Sequence, residues 1–506
     1  MTSQNSQHVY QVLIVGSGFS GLCMAIQLQK SGIDDFKIIE KANKVGGTWR
    51  ENTYPGAACD VQSHLYSLSF APNPSWSKVF SGWQEIQSYL EQVQEDSALV
   101  DKIQFNNEMV SASFNEVLGL WQVRLKGGES LQARHVVLGT GPLHMPKMPS
   151  IKGLEDFKGE VFHSANWRHD IDLQGKNVVS IGTGGSAVQY VPEVAKQAKR
   201  LTVFQRSAAW LMPRNERSYT RLEKWLFKHI PLWRKSYRSF LYLMNEARFI
   251  PMKFPMLAKV AQGISRWHLY RQVPDPTLRA QLLPSYTMGC KRILISNEYF
   301  PAFNRSNVAL NTSGIAQVNE HSVTDQQGNQ VPVDVIVLGT GFEADPRVFL
   351  KDIPIRGLDG KLLLDAWQDR GAQAFLGVSV AGFPNFYQMV GPNSGLGHNT
   401  VVFMIECQAR YIVSALKALN KQKAQYLTVK PEVQKAFNLR LQKQLQGTVW
   451  QTGCSSWYQD TDGHNFTIWP GSTLSYYWHT RKLVVQNYQW HDVKEQVLSK
   501  KVSAQN

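Results

Sequence analysis

The sequence predicts an α/β fold of two Rossmann-like dinucleotide-binding domains, the second inserted into the first and carrying a helical excursion. Two glycine-rich turns, each set between an apolar strand and a helix, predict the two domains. A strongly basic, aromatic segment after the second turn predicts the excursion. The expected boundaries are 8–145 for the first part of the first domain, 150–335 for the second domain with its insertion at about 214–275, and 336–500 for the return of the first domain with a C-terminal active-site segment.

Composition bounds the class of protein before any motif is considered. With 506 residues, 43% hydrophobic and 18% charged, the chain has ordinary globular values and length for several domains. It has no apolar run of about 18 residues and no basic N-terminal region, so we expect no transmembrane helix and no signal peptide. Five widely spaced cysteines indicate no metal site and no redox dithiol, and Cys59 and Cys290 are expected to be packing residues without a partner thiol. A reducing, cytoplasmic location fits this cysteine usage.

The first glycine-rich turn follows an apolar strand at 12–15 and precedes a helical pattern and a second strand at 36–39. Glu40 ends that second strand, 24 residues after the turn begins, where a carboxylate can accept both hydroxyls of a ribose. The three glycines would allow the tight turn, the approach of a pyrophosphate and the packing of helix on strand. They are Gly16, Gly18 and Gly21.

The second turn repeats this pattern between strands at 178–181 and 201–204, with Gly182, Gly184 and Ala187 in the three positions. Arg206 stands 24 residues after Gly182, where the first unit has an acid. A guanidinium pairs with a 2′-phosphate that a carboxylate would repel, so this site should prefer NADPH, unless Arg206 is only a solvated strand end. Two sites of opposite charge indicate FAD in the first unit and NADPH in the second. Strand-then-glycine stretches at 136–143 and 335–345 mark where the chain should pass between the domains.

Two longer motifs narrow the class. GGTWRENTYPGAACD (46–60) follows the first turn, and FKGEVFHSANW (157–167) precedes the second. Together they resemble the fingerprints of type I Baeyer–Villiger monooxygenases, within the class B flavoprotein monooxygenases. Trp167 favours this family over the sister flavin-containing monooxygenases, whereas Arg168 stands where the family pattern has Pro or Asp.

The resemblance implies an NADPH- and dioxygen-dependent enzyme that converts ketones to esters or lactones through a C4a-peroxyflavin, with oxidation of sulfides or amines as a further activity. Arg292 would be the catalytic arginine and Asp60 its carboxylate partner, while Lys291 would lie with Arg292 beside the flavin and Trp457 would close over NADP. The loop 391–399 resembles the family's return loop near the flavin. FAD would contact Gly16, Gly18, Ser20, Gly21, Glu40, Gly47, Thr48, Trp49, Tyr66 and Val110, and NADP would contact Thr183, Gly184, Gly185, Ser186, Ala187, Gln189, Arg206 and Ser207.

Alternatives remain open at the level of sequence. A flavin-dependent oxygenase of amine nitrogen or sulfide sulfur would share both turns and would not depend on Arg292. An uncoupled NADPH oxidase would share them too, although the lack of a dithiol weakens a redox-sensor interpretation. His163, just before the second unit, is interpreted as a structural or hinge residue.

The segment between residues 214 and 273 holds thirteen Lys or Arg and three Glu, a net charge of +10 out of +15 for the chain. Its apolar residues recur at helical spacing, and Pro231, Pro251 and Pro255 should divide it into two or three helices. Packing on the parent domain is the favoured interpretation, a lid over an apolar tunnel the second, and contact with an anionic membrane the third. No nucleic-acid motif accompanies the charge. An aromatic-rich C-terminal region favours linear aliphatic or aryl ketones, and no pattern indicates an oligomeric state.

Overall fold

The computed structural model describes residues 8–451, 454, 456–460 and 462–492. Within them the chain forms 20 strands: β1 (Val9–Val15), β2 (Phe36–Ile39), β3 (Ile103–Gln104), β4 (Met109–Asn115), β5 (Leu120–Leu125), β6 (Ser130–Leu138), β7 (Glu160–His163), β8 (Asn177–Ile181), β9 (Arg200–Phe204), β10 (Leu211–Met212), β11 (Leu294–Ile295), β12 (Val308–Asn311), β13 (Ile315–Val318), β14 (Ser322–Asp325), β15 (Gln330–Pro332), β16 (Val335–Leu338), β17 (Ile355–Arg356), β18 (Phe386–Gln388), β19 (Tyr426–Val429) and β20 (Tyr488–His491).

The same residues form 14 α-helices, linked by short 3-10 turns: α1 (Phe19–Gln29), α2 (Thr48–Glu51), α3 (Trp83–Asp96), α4 (Gly185–Gln197), α5 (Arg221–His229), α6 (Pro231–Ala247), α7 (Phe249–Lys253), α8 (Pro255–Gln272), α9 (Pro276–Leu282), α10 (Tyr299–Ala302), α11 (Pro346–Phe349), α12 (Val401–Gln422), α13 (Pro431–Leu445) and α14 (Thr473–Thr480). None of these helices is long and apolar enough to cross a membrane.

The first large sheet is mixed and has the order β17-β4-β5-β6-β1-β2-β3, with β18 on the same edge of β6 as β5. Its centre is parallel, and Val12, Leu13 and Ile14 of β1 are fully buried. A strand that reads as a continuous apolar run is buried on both faces, as here between α1 and α12 on one side and the core around Trp121 on the other. The sheet draws strands from 9–138 and again from 355–388.

The second sheet has five strands, all parallel, in the order β12-β9-β8-β16-β7. Its strands come from 160–338, and α4 packs on it through Ala187, Val191 and Val194. The α/β class with two Rossmann-like sheets is therefore confirmed. The bounds predicted for the strand at 36–39 are those of β2. β1 begins three residues earlier than predicted, because polar Gln11 interrupts the apolar pattern near its start.

The segment after β10 forms four consecutive helices, α5 to α8, and not two or three. Pro231 and Pro255 each begin a helix, as predicted. The expectation that Pro251 breaks a helix is wrong, because Pro251 is the third residue of α7. In the first turn of a helix the amide N–H has no partner within the helix, so proline is tolerated there. The break lies instead at Arg248, between α6 and α7.

Candidate active site

The first glycine turn joins β1 to α1 and admits no side chain. Gly16 has φ +99°, and a Cβ on it would lie 2.8 Å from the carbonyl oxygen of Gly139, which follows β6. A Cβ on Gly21 would overlap the carbonyl oxygen of Gly16, and Gly18 packs against Gly47. No side chain caps the first turn of α1, and the positive end of the helix there suits a pyrophosphate.

Glu40 follows β2 directly and is buried beside this turn. Its carboxylate accepts hydrogen bonds from the Ser17 N–H and hydroxyl, both at 2.9 Å, and from the Ala42 N–H at 3.0 Å, and Arg50 Nη1 lies 3.2 Å away. The Glu40 carbonyl accepts from the Asn107 N–H at 2.9 Å, which brings the start of β4, where Val110 lies, to the same place. The structure therefore places the acid at the end of β2, beside the first glycine turn.

An aromatic group stands next to the turn. Trp49 Nε1 donates to the Tyr66 hydroxyl at 3.2 Å, and the Tyr66 ring meets Trp49 and Phe19 edge to face. Gly47, with φ +54°, and Thr48 lead into α2 and place Trp49 there, while Ser20 is buried in the first turn of α1. These predicted residues lie together.

The second glycine turn repeats the geometry of the first. Gly182 has φ +110° and touches Gly339, which follows β16 as Gly139 follows β6. Thr183 Oγ1 donates to the Ser207 carbonyl at 2.7 Å, tying the turn to the end of β9. Gly185, Ser186 and Ala187 form the start of α4, with Gly184 as its N-cap.

A basic cluster lies beside the second turn. Arg206 is exposed just after β9, and Lys291 Nζ donates to Ser207 Oγ at 2.9 Å. Partial burial, and then the charge of Arg206, lower the pKa of Lys291. Lys291 is predicted to lie beside the flavin, and in the structure its side chain contacts Ser207 and lies near Arg206. Two cations close together, one with a lowered pKa, form a site suited to a phosphate dianion.

Gln189 joins the two glycine-rich units. Its Oε1 accepts from the Tyr54 hydroxyl at 2.9 Å and from the Ala58 N–H at 3.3 Å, and its Nε2 donates to the Ala58 carbonyl at 2.9 Å. The side chain predicted to contact NADP is thus occupied in holding the 54–58 loop on α4.

Arg292 and Asp60 form a bidentate ion pair. Arg292 Nη2 lies 2.6 Å from Oδ2 and 2.7 Å from Oδ1 of Asp60, and Nε donates to Oδ2 at 3.0 Å. Protein surrounds the guanidinium, yet 41% of the Arg292 side chain is accessible, so it lines a cleft rather than the core. Asp60 raises the pKa of Arg292 further above its already high value, so the guanidinium stays charged.

Sequence reasoning missed Tyr458, which lies close enough to this pair for their charges to affect its pKa. Burial raises the pKa of Tyr458 to about 12, and the nearby Arg292 partly offsets that rise. Trp457, predicted to close over NADP, is 39% exposed with its ring 4.7 Å from the Tyr458 ring. Gly397, in the 391–399 loop, faces Tyr458, Trp450 and Met252. The adjacency of Tyr458 to Trp457 was the only sequence signal for it.

The expectation that Cys290 has no partner thiol is wrong, because it forms a disulfide with Cys454. The two residues are 164 positions apart, so no local spacing reveals the pair. The disulfide joins the segment that contains Lys291 and Arg292 to the segment that contains Trp457 and Tyr458. Cys59 is free and buried, and burial raises the pKa of its thiol, as suits a packing residue.

A buried polar network, also missed, links α6 to the 391–399 loop. Glu246 accepts from the Thr473 N–H at 2.8 Å, the Thr473 hydroxyl at 2.7 Å and Asn399 Nδ2 at 2.8 Å, and His398 Nε2 lies 3.5 Å from it. Burial opposes ionisation of Glu246, but its contacts with His398, Thr473 and Asn399 outweigh burial and bring its pKa to about 2. The end of α6 is therefore fixed to the loop that carries Gly397.

His163 and Arg168 take no part in this cleft. His163 is buried at the end of β7, its Nδ1 accepts from the Ala165 N–H at 3.1 Å, and its ring meets Phe342 edge to face. Arg168 makes a bidentate pair with Asp170, at 2.8 and 2.6 Å, on the surface. His163 thus joins β7 to the loop after β16, and the departure at Arg168 lies away from Arg292.

A family model described as pyridine nucleotide-disulphide oxidoreductase matches residues 13–235. The chain is 44% identical over 483 residues to a Baeyer–Villiger monooxygenase of Pseudomonas aeruginosa, covering 94% of this chain and 90% of that protein. It is 41% identical over 493 residues to a Baeyer–Villiger monooxygenase of Streptomyces coelicolor, with coverages of 96% and 93%.

Solved structures agree with these relatives. A cyclohexanone monooxygenase from Rhodococcus sp. Phi1 bound to NADP+ superposes with a TM-score of 0.86 at 25% identity, covering 96% of this chain and 100% of that one. An OTEMO complex with FAD and NADP superposes with a TM-score of 0.86 at 25% identity, covering 96% and 99%. With the two glycine turns and the Arg292–Asp60 pair in place, this chain belongs to the Baeyer–Villiger monooxygenase family.

Proposed function

We propose that this enzyme uses NADPH and dioxygen to insert one oxygen atom beside the carbonyl group of ketones, giving esters or lactones. The observation that carries the proposal is the bidentate pair of Arg292 and Asp60, set in an accessible cleft near both glycine turns. A permanent cation there can stabilise negative charge on oxygen without supplying a proton.

The residues present fit both dinucleotides. Around the first turn, glycines leave no space for a Cβ, α1 offers its N-terminus, and Glu40 is held where ribose hydroxyls would lie. Around the second turn, Arg206 and Lys291 form the cation pair that distinguishes a 2′-phosphate. The similar structures whose descriptions name FAD and NADP support the assignment of FAD to the first site and NADPH to the second.

Bound FAD, once reduced by NADPH, supplies the chemistry that activates dioxygen. Arg292 would stabilise the charge that develops on the carbonyl oxygen of the ketone, and Asp60 would hold the guanidinium in that orientation through both of its oxygens. Tyr458, which keeps its proton up to about pH 12, would close one side of Arg292. We propose the same FAD and NADP contacts as the sequence predicts, with two changes. Lys291 would bind NADPH, and Gln189 would hold the two units together instead of contacting NADP.

The surroundings of the 391–399 loop support an apolar ketone. Phe249 of α7 stacks on Trp450 with ring centroids 6.4 Å apart, and the buried side chains of Trp450 and Met252 lie next to Gly397. Apolar surroundings favour linear aliphatic or aryl ketones over small polar ones. This contact also favours a lid role for the inner side of α7. We further propose the domain boundaries 8–145, 150–335 and 336–500, which the origin of the strands in the two sheets supports.

The experiment is turnover of the flavin-loaded enzyme with NADPH and oxygen-18 gas on a long-chain 2-ketone, an aryl ketone and an aryl sulfide. We expect an ester that carries one labelled oxygen, detected by mass spectrometry, with NADPH consumed in equal amount. Labelled sulfoxide without any ester would show an oxygenase of soft nucleophiles, and hydrogen peroxide without labelled product from any ketone would show an oxidase; both would contradict the proposal.

A further inference from the structure

The outward faces of α5 to α8 are apolar. Fifteen of the 24 exposed large apolar side chains in the described part of the chain lie between residues 222 and 270. On α6, Leu232, Phe240 and Leu243 recur at helical spacing, with exposures of 74%, 60% and 61%. On α8 the same spacing relates Met256, Val260, Ile264 and Trp267. Apolar surface this extensive marks an interaction site.

The opposite faces of the same helices are packed on the rest of the enzyme. Ala258, Ser265 and Leu269 of α8 are buried, and the Ser265 hydroxyl donates to the Leu211 carbonyl at 2.7 Å. Arg238 of α6 donates to the His64 carbonyl at 2.6 Å. These inner contacts already pack both helices on the enzyme. The outer apolar stripes therefore have no packing role within the described chain.

Positive charge surrounds the stripes. Exposed cations flank them on both helices, and Glu223 and Glu246 are the only acidic residues between 221 and 272. Glu223 is paired with Arg217 at 2.7 Å, and Glu246 belongs to the buried network. The outer face therefore presents apolar residues among cations that no neighbouring acid offsets along these helices. The exposed cations are Arg221, Lys228, Lys235, Arg248, Lys253, Lys259, Arg266 and Arg271.

We propose that this outer face of α5 to α8 docks the enzyme on the surface of an anionic lipid bilayer. Helices that combine an apolar face with flanking Lys and Arg lie in the interfacial plane, with apolar side chains entering the acyl boundary and cations meeting anionic headgroups. Trp225, Trp233 and Trp267, all exposed, supply the amphipathic rings that favour this interface. Docking on one leaflet needs no membrane-crossing helix.

Charge decides between a bilayer and a second copy of the chain. Two copies of this face would bring two sets of cations together in an apolar contact, which like-charge repulsion opposes. Anionic headgroups neutralise the same cations. The net +10 of the segment therefore fits a lipid surface better than a self-association.

The test is flotation of the flavin-loaded full-length enzyme with vesicles of phosphatidylcholine alone or mixed with phosphatidylglycerol. We expect it to float with the mixed vesicles and to stay at the bottom with phosphatidylcholine. Lys235→Gln with Lys259→Gln and Arg266→Gln should weaken binding roughly 100-fold, at about fivefold for each charge. Phe240→Ser with Leu243→Ser and Trp267→Ser should weaken it by at least roughly 100-fold.

The matched control carries Val117→Ser, Leu118→Ser and Leu439→Ser, which remove exposed apolar side chains elsewhere, and it should float like the unchanged enzyme. Flavin absorbance and Tm report whether each variant is folded. Failure to float with anionic vesicles overturns the proposal. The proposal is also overturned if about 0.5 M salt abolishes vesicle binding and the variant with the apolar substitutions still binds. Binding would then be adsorption by charge alone. If the unchanged enzyme is a dimer, the apolar substitutions make it monomeric and no vesicle binding is seen, then the face serves self-association instead.

Discussion

Arg292 and Asp60 lie 232 positions apart in the chain and meet through three hydrogen bonds on one guanidinium. Most bidentate arginine pairs are structural, and Arg168 with Asp170 forms such a pair on the surface of this enzyme. Arg292 differs because it lies in a cleft near Tyr458. It also follows Lys291 directly in the chain, and Lys291 forms the basic cluster with Arg206. The two pairs therefore offer a matched comparison of the same chemistry inside and outside the site.

Arg292→Ala should lower kcat for ketone oxidation by roughly 100-fold or more, because it removes the group proposed to stabilise negative charge on oxygen. Oxidation of an aryl sulfide should fall much less, since it does not depend on that charge. Arg168→Ala should leave both rates within about twofold, as expected of an exposed ion pair. Equal losses for ketone and sulfide would indicate that Arg292 serves binding or folding instead of the ketone step.

Coenzyme preference is predicted to depend on two side chains of the second unit. Arg206→Ala or Lys291→Ala should raise KM for NADPH by roughly tenfold to 100-fold, because each side chain is proposed to bind the 2′-phosphate through a charged hydrogen bond. KM for NADH, which lacks that phosphate, should change little. Arg200→Ala, at the other end of β9, is the control and should alter neither value. A parallel loss with both coenzymes would place Arg206 and Lys291 outside the phosphate site.

At the scale of elements, α6 is the connection between the helical insertion and the cleft. Its outer side is exposed and apolar, while Glu246 near its end accepts hydrogen bonds from Thr473 and Asn399. Only 12% of the Glu246 side chain and 1% of His398 are accessible. An acceptor so buried is costly to remove, because the donors of Thr473 and Asn399 would lose their partner where water does not replace it.

Glu246→Ala should therefore reduce the free energy of unfolding by about 3 kcal/mol, measured by denaturant titration, because it leaves several buried donors without an acceptor. Glu108→Ala, which breaks the exposed pair with Lys126, should cost less than about 1 kcal/mol. A similar small cost for both would show that the network around Glu246 is not stabilising.

The same carboxylate predicts a pH dependence. Its pKa is about 2 in the folded enzyme and 4.5 in its ordinary state, so its contribution to stability is complete above pH 4.5 and is lost as the pH falls toward 2. The difference in unfolding free energy between the unchanged enzyme and Glu246→Gln should accordingly shrink over that range. A difference independent of pH below 4.5 would contradict the lowered pKa.

Across the whole molecule, the segment after α13 is joined to the second Rossmann-like unit by one covalent bond. Cys290 precedes Lys291 and Arg292, and Cys454 precedes Trp457 and Tyr458. The disulfide thus fastens together two stretches that both supply side chains to the cleft. Gln189 performs the corresponding non-covalent role between the two glycine-rich units.

Cys454→Ser should raise KM for NADPH and lower Tm, because it frees the segment that carries Trp457 and removes a cross-link worth up to about 5 kcal/mol in the unfolded chain. A reducing agent should lower the Tm of the unchanged enzyme and leave that of the variant as it is. Cys407→Ser, at a free buried thiol, is the control and should keep the sensitivity to reduction. Peptide mass mapping without reduction should recover Cys290 and Cys454 in one linked fragment.

Residue spacing alone was enough to predict the two glycine turns, the acid and the arginine that follow them, the α/β class and the helical nature of the basic segment. These are local features: a turn, a strand end or a helix is specified by residues within a few tens of positions, so spacing reveals it. Resemblance to a family added Arg292 and Asp60. The folded chain was needed to show that Cys290 pairs with Cys454, that Lys291 lies near Arg206, that Glu246 contacts Thr473 and that the basic helices leave an apolar face outward. Each of these depends on contacts between residues far apart in the chain, which the packing of whole elements creates and no local pattern encodes.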